Sequence, residues 1–246
     1  MSESSHPILC IVPGWGGTKE TWKEFTTHAE EYFDVHCIEL PCFGGVDCPQ
    51  TVWGIEQYAE YVHLKLQEIQ KESGDRKLIL LGHSFGGQVA TYVAEKHPDS
   101  FDELVLIAAA IIRPRRVIKR AILGTCSKVV KMLLKTQKDN TKMAEIKKKL
   151  YNVIFSPDYI ETSGIKREIF RKIIREDMRY ALPKISKKTL IFWGKHDTYT
   201  PLRHGKLIAK KMPNAELVIF KNGRHGLHHT HSADILNTLK ERYTTG

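Results

Sequence analysis

The stretch Lys77-Leu-Ile-Leu-Leu-Gly-His-Ser-Phe-Gly-Gly-Gln-Val-Ala-Thr-Tyr-Val-Ala-Glu-Lys-His97 decides the fold. Leu78 to Leu81 form an apolar run without polar alternation, the pattern of a strand buried on both faces. Gly82-His83-Ser84-Phe85-Gly86 follows at once, and Val89, Ala90, Val93 and Ala94 then recur at helical spacing. The order is strand, sharp turn, helix, with a serine at the apex. Glycines at 82 and 86 suit a turn in which two backbones approach so closely that a Cβ would clash. A serine there stands clear of the sheet. The next backbone N–H, at Phe85, opens a helix N-terminus and points where negative charge is favoured.

Outward from that stretch, apolar runs alternate with helical patterns. Strands are predicted at Ile8–Val12, Val35–Leu40, Leu104–Ala109, Thr189–Trp193 and Glu216–Phe220. Helices are predicted at Glu20–Tyr32, Ile55–Glu72, 85–97, Leu202–Lys211 and Ser232–Tyr243, with Thr18 as an N-cap for the first. Trp22, Phe25 and Ala29 share one face of the first helix, and Tyr58, Tyr61, Val62, Leu66 and Ile69 one face of the second. Strands separated by helices imply a mostly parallel sheet covered on both faces.

A chain of 246 residues with 41% hydrophobic content and a mean hydropathy of −0.33 is an ordinary globule with one large core. No run of about 18 apolar residues is present, which excludes a helical membrane span on sequence grounds. Met1-Ser-Glu-Ser-Ser-His-Pro7 lacks the basic and apolar regions of a secretory signal. The cysteines (Cys10, Cys37, Cys42, Cys48, Cys126) are odd in number and have no C-x-x-C spacing. Cys10 and Cys37 fall in strand-like runs that suit buried free thiols, so a reducing cytoplasm is the expected location.

Ser84 in its strand–turn–helix setting resembles the nucleophile of the α/β-hydrolase superfamily. That resemblance implies a fixed chain order of nucleophile, acid and base, each on a loop at the C-terminal end of a strand. Trp193-Gly-Lys-His-Asp197-Thr-Tyr-Thr-Pro201 is similar to the family's acid loop, which makes Asp197 the expected acid and leaves His196 off the matching position. Asp197 could alternatively serve only as a turn or cap residue. Asn222-Gly-Arg-His225-Gly is similar to the base loop, which makes His225 the expected base. His228, His229 and His231 crowd the same stretch, and His228 is the alternative base; without cysteine or carboxylate ligands beside them no zinc site is expected. His83 is expected to pack under the turn. Neither cofactor nor metal is implied.

An oxyanion hole needs two N–H donors. The resemblance assigns them to Phe85 and to Trp15 in Pro13-Gly-Trp-Gly-Gly17, where the family commonly has His-Gly. Proline replaces that histidine here. Glu39-Leu-Pro-Cys-Phe-Gly-Gly45 resembles the family's D-x-P-G-x-G loop, with Glu39 and Cys42 substituted, and is expected to shape the pocket wall. The family usually begins with an antiparallel hairpin that has no counterpart before residue 8, so the expected sheet has about six strands. Serine rather than aspartate at position 84 argues against dehalogenase or epoxide hydrolase chemistry.

The net charge of +10 is concentrated. Residues 113–188 hold 22 Lys/Arg against 7 Asp/Glu, and the remainder of the chain is net negative. This segment lies where the superfamily places a helical cap, giving expected domains of 1–112 with 189–246 (core) and 113–188 (cap). Helices are predicted at 113–135, 139–155 and 163–179, the first with Ile118, Ile122, Val129, Met132 and Leu133 near one stripe. Solvated lysines around a lid are the simplest account of the charge. Attraction of an acidic substrate or of an anionic membrane are the sharper ones. Nucleic acid is not expected, since no binding motif accompanies the charge.

The expected function is hydrolysis of a carboxylic ester, or a similar acyl bond in a small molecule, through an acyl-enzyme on Ser84. Thioester, amide and C–C bond cleavage use the same groups. A non-enzymatic ligand receptor or a peripheral membrane protein is the alternative on the same fold.

Overall fold

The computed structural model describes residues 6–113 and 163–244. Its strands are β1 (Ile8–Val12), β2 (Asp34–Cys37), β3 (Leu78–His83), β4 (Glu103–Ile107), β5 (Thr189–Gly194) and β6 (Ala215–Phe220). They form one sheet in the order β2-β1-β3-β4-β5-β6, and every neighbouring pair is parallel. The helices among the described residues are α1 (Lys19–Ala29), α2 (Ile55–Ser73), α3 (Phe85–Lys96), α4 (Gly164–Ile173), α5 (Leu202–Lys211), α6 (Leu227–Thr230) and α7 (Ser232–Tyr243). The six-stranded parallel sheet with helices on both faces is the architecture that the alternating pattern predicts.

The alternation of side chains along each strand divides the core in two. Ile8, Cys10 and Val12 of β1 and Leu78 and Leu80 of β3 pack with α2, α3 and α5. Leu9, Ile11, Ile79 and Leu81 pack on the opposite face with α1 and α7, around Trp22 and Phe25. The central strands are wholly buried, whereas β2 and β6 at the edges are mostly half-buried. Full burial of one such aliphatic side chain contributes about 1.5–3 kcal/mol.

Boundaries shift where local hydrogen bonds outcompete periodicity. Helix α1 starts in a capping box between Thr18 and Thr21 and ends at Ala29, three residues before the predicted Tyr32. The Tyr32 and Phe33 N–H groups both donate to the Ala29 carbonyl, which turns the chain and buries Phe33. Strand β2 stops at Cys37, although the Ile38 N–H still reaches the Ile11 carbonyl at 2.8 Å. Helix α4 ends at Ile173 rather than 179, because Arg175 and Glu176 close a turn and Met178 then donates its N–H to the Ile111 carbonyl. The short helix α6 is not evident in the periodicity. The predicted helices at 113–135 and 139–155 lie outside the described residues, apart from Arg113.

Residues 163–188 return onto the core. Ile169, Phe170 and Ile173 of α4, then Met178, Ala181, Leu182 and Ile185, join the same buried cluster as Ile111 and Ile112. Gln88, buried on α3, donates to the Glu176 carbonyl and accepts from the Arg113 guanidinium. The Arg113 N–H in turn donates to Asp177 Oδ2.

The chain passes from β1 to β2 on one side and then, through α2, crosses to β3 on the other side of β1. In a parallel α/β sheet this reversal opens a crevice at the C-terminal strand ends. The β1–α1 loop and the β3–α3 turn both lie there.

Candidate active site

The β3–α3 turn holds Ser84 at φ 51° and ψ −112°. A non-glycine residue in this region costs about 1–3 kcal/mol, and it persists because its surroundings fix it. The Ser84 N–H donates to the Ile107 carbonyl at 3.0 Å, and its own carbonyl accepts from Gln88 at 3.1 Å and Ala110 at 2.8 Å. A Cβ on Gly82 would lie 2.6 Å from the Gly86 carbonyl oxygen, and one on Gly86 would overlap the carbonyls of Val12 and Pro13. The two glycines therefore answer to the close approach of helix and strands that the sequence anticipates.

The loops after β5 and β6 bring Asp197 and His225 to Ser84. His225 Nε2 is 2.9 Å from Ser84 Oγ, and His225 Nδ1 is 2.8 Å from Asp197 Oδ2. The loops are tied together by the Lys195 N–H on the Phe220 carbonyl and the His196 N–H on the Gly223 carbonyl, both at 2.9 Å. The Asp197 carboxylate is fully enclosed. Its Oδ1 accepts from the N–H groups of Tyr199 and Thr200, each at 2.8 Å, and its Oδ2 accepts from Thr200 Oγ1 at 2.7 Å as well as from His225. All four acceptor positions of the carboxylate are thereby occupied. His196 is exposed, its side chain apart from these contacts.

The other histidines do not share this arrangement. His228 stacks on Trp22 with ring centroids 4.2 Å apart and an interplanar angle of 9°. Burial, reinforced by His229 and His225, pushes its pKa down to about 3, so it is a neutral core ring rather than a second base. His83 is buried beneath the turn, its ring 4.4 Å from His228 and 5.0 Å from His225. Burial holds it far below the ordinary imidazole range, and as a neutral ring it can donate Nε2–H to the His225 carbonyl, 3.2 Å away. His231 Nδ1 meets Thr230 Oγ1. Among the described residues no group of three or more His, Cys, Asp or Glu is arranged to hold a metal.

Opposite the histidine, the Phe85 N–H is the first of α3 and has no intrahelical acceptor. The Trp15 backbone belongs to a tight loop in which the Gly17 N–H donates to the Gly14 carbonyl at 2.9 Å. Pro13 immediately precedes this turn and packs against it, since a Cβ on Gly17 would lie 2.7 Å from the Pro13 Cβ. The Trp15 ring packs on Phe43 at 4.8 Å, Phe85 at 5.6 Å and Phe170 at 4.9 Å. Phe43 comes from the predicted pocket-wall loop and Phe170 from α4. Glu39 anchors that loop: its carboxylate accepts from the Lys19 N–H at 2.8 Å and from the Gly45 N–H at 3.4 Å. Lys166, one turn before Phe170, sits over the Phe43 ring and donates to the Cys42 carbonyl.

Several of these residues carry no signal in the sequence. Thr200 and Tyr199 lie inside the acid loop without marking themselves, and the Tyr199 ring stacks on His225 at 5.1 Å. Phe170 sits in a basic segment whose periodicity shows a helix but not its contacts. Cys42 and Cys48 form a disulfide, which the odd cysteine count does not predict, while Cys10 and Cys37 are free thiols.

A family model described as Serine aminopeptidase, S33 matches residues 3–231. The chain is an α/β hydrolase of that family. This hydrolase is 24% identical over 234 residues to the pimeloyl-[acyl-carrier protein] methyl ester esterase of Vibrio campbellii (strain ATCC BAA-1116), covering 89% of this chain and 87% of the relative. The protein of the same name from Wigglesworthia glossinidia brevipalpis is 28% identical over 227 residues, covering 84% and 80%. Among solved structures, an esterase from Exiguobacterium antarcticum superposes with a TM-score of 0.72 at 19% identity, over 98% of this chain and 93% of that one. The enol-lactonase from Burkholderia xenovorans LB400 superposes with a TM-score of 0.71 at 18% identity, over 99% and 94%. At those identities the solved structures speak for the shared fold.

Proposed function

We propose that this α/β hydrolase is a serine esterase that cleaves a carboxylic ester through an acyl-enzyme on Ser84. The observation that carries the reading is the His225 ring held between Ser84 Oγ at 2.9 Å and Asp197 Oδ2 at 2.8 Å. With Nδ1–H directed to the carboxylate, Nε2 is free to take the Ser84 proton as Oγ attacks the ester carbonyl. The negative charge that develops on the carbonyl oxygen falls to the N–H groups of Trp15 and Phe85. His225 returns the proton to the departing alcohol. It then activates the water that releases the acid, and Ser84 is restored.

An ester suits the surroundings better than a peptide. The relatives matched over most of the chain are named as ester hydrolases rather than peptidases. The wall of Trp15, Phe43, Phe85 and Phe170 instead suits an apolar acyl chain. The relatives named as methyl ester esterases support a small alcohol as the leaving group.

The same relatives are named for esters carried on a protein, and residues 113–188 carry a strong basic excess. We therefore propose a negatively charged carrier as the form in which substrate arrives, with 113–188 acting as the cap over the core of 1–112 and 189–246. A cytoplasmic location rests on cysteine usage alone. The Cys42–Cys48 bond pulls the other way, and a thiol count on rapidly quenched cells would decide it.

The test is fluorophosphonate labelling of wild type beside Ser84→Ala and His225→Ala, with turnover of methyl and p-nitrophenyl esters. Labelling and turnover in wild type alone are expected. Wild-type labelling rates in His225→Ala would remove His225 as the base. A wild type that neither labels nor hydrolyses would favour a ligand receptor on this fold.

A further inference from the structure

We infer that Thr200 is a positioning residue, whose hydroxyl fixes the Asp197 carboxylate in the orientation that receives His225. This rests on the roles proposed above for Ser84, Asp197 and His225. Thr200 is buried, with 6% of its surface exposed, and every polar atom it has is engaged around the acid loop. Its N–H donates to Asp197 Oδ1 at 2.8 Å, and its carbonyl accepts from Trp193 Nε1 at 2.7 Å. Trp193 has no exposed surface at all, so this second bond pins the loop to the core.

The hydroxyl has one proton and two acceptors within reach. Asp197 Oδ2 lies at 2.7 Å and the Ala108 carbonyl at 3.1 Å. The shorter contact is to a carboxylate, and a charge-assisted bond is the stronger of the two, so the proton goes to Asp197. Oδ2 then receives two donors, Thr200 Oγ1 and His225 Nδ1, while Oδ1 receives two N–H groups. Four donors from fixed directions prevent the carboxylate from rotating about its Cβ–Cγ bond. Without the hydroxyl, Oδ2 would keep His225 alone, and that bond would no longer be held in one plane.

Ala108 supplies a further constraint. It has φ 47°, an unusual conformation for alanine, at the point where the chain leaves β4. Its carbonyl limits the Thr200 side chain from the other side. Thr200 Oγ1 is also 3.3 Å from His225 Nδ1, close enough for its lone pair to share that N–H if the imidazole tilts. The threonine thus keeps both partners of the Asp197–His225 bond from drifting.

The test compares Thr200→Val, which keeps the shape and removes the hydroxyl, with Thr200→Ser, which keeps the hydroxyl. Turnover of p-nitrophenyl butyrate, fluorophosphonate labelling of Ser84 and melting temperature are measured for each. Loss of one charge-assisted hydrogen bond in the buried pair is expected to lower kcat in Thr200→Val roughly tenfold or more, with KM within about twofold. Labelling should slow in parallel, and Thr200→Ser should recover kcat to within about threefold of wild type. Unchanged kcat in Thr200→Val, or equal losses in folded Val and Ser variants, would overturn the inference. If the Val variant does not fold, Thr200→Ala against Thr200→Ser makes the same comparison. Full turnover by Ser84→Ala would instead overturn the underlying triad, whereas a silent Ser84→Ala beside an unimpaired Thr200→Val would sink the role of Thr200 alone.

Discussion

Trp15 and Phe170 meet ring to ring with centroids 4.9 Å apart, joining the loop after β1 to helix α4 in the basic segment. The backbone of Trp15 is proposed to hold the oxyanion, while its side chain shares an aromatic wall with a residue far along the chain. On the proposed acyl-enzyme reading, Phe170 would help set the size of acyl group that reaches Ser84.

Replacing Phe170 with alanine should widen the acyl side of the site. The ratio of kcat/KM for an octanoyl ester to that for a butyryl ester is expected to rise about fivefold or more, the scale of a few methylene contacts. Part of the stability of the α4 contact will be lost as well, so the ratio rather than the absolute rate is the quantity to read. A ratio equal to that of wild type would remove Phe170 from the acyl pocket.

Gly86→Ala and Gly45→Ala form a contrasting pair. A Cβ at Gly86 would meet the backbone carbonyls of Val12 and Pro13, which belong to β1 and its loop, whereas one at Gly45 meets no atom within 4 Å. The Gly86 change should destabilise by about 3 kcal/mol or more, or abolish soluble expression, because a backbone cannot move aside as a side chain can. The Gly45 change should alter the urea midpoint little. Similar midpoints for the two variants would show that the approach of α3 to β1 is looser than described.

The buried histidines make stability depend on pH. His228 is held neutral in the fold by burial, with its pKa down at about 3, while the unfolded chain protonates near 6.5. The unfolded state therefore binds more protons as pH falls below 6.5, and stability drops over that range until the folded pKa is reached. From pH 7.5 to 5 the contribution of His228 is about 2 kcal/mol. His228→Phe, which preserves a ring against Trp22, should lose about that much less stability than wild type between the two pH values. Parallel urea midpoints in both proteins at the two pH values would contradict the neutral assignment.

The Cys42–Cys48 bond closes a short loop next to Phe43, with a sequence separation of 6. Loop-closure entropy for a ring of this size corresponds to about 2 kcal/mol. Reduction with a phosphine should lower the unfolding free energy of wild type in urea by about 2 kcal/mol, and Cys48→Ser should abolish the response. A reductant-insensitive wild type would show that the two thiols are not bonded in solution.

The fold was legible because its main signals are local. Apolar runs without alternation at 8–12, 78–81, 104–109 and 189–193 read as strands covered on two faces, the third ending at Ile107 where Ala108 turns. Gly82 and Gly86 around Ser84 mark a turn whose closeness leaves no room for side chains. Asp197 and His225 are implied by the resemblance of their loops to the superfamily's acid and base loops, and parallel strands deliver those loops to one edge of the sheet. The sequence offers both His225 and His228 as the base, and their contacts separate them. His225 lies on the loop after β6 and His228 three residues on in α6, and one ring meets Ser84 while the other lies against Trp22.

By itself, then, the sequence determined the strand–helix alternation and the sharp turn at Ser84, because periodicity and glycine placement act over a few residues, while the acid and base were implied by resemblance to the superfamily's loops. The tertiary structure decided which atoms meet. Thr200 reaches Asp197 Oδ2, Phe170 reaches Trp15, Cys42 reaches Cys48 and His83 reaches the carbonyl of His225 only once the sheet has brought separate loops together. Hydrogen bonds and ring contacts depend on distances of a few ångströms, and those distances are set by packing across the whole core rather than by spacing along the chain.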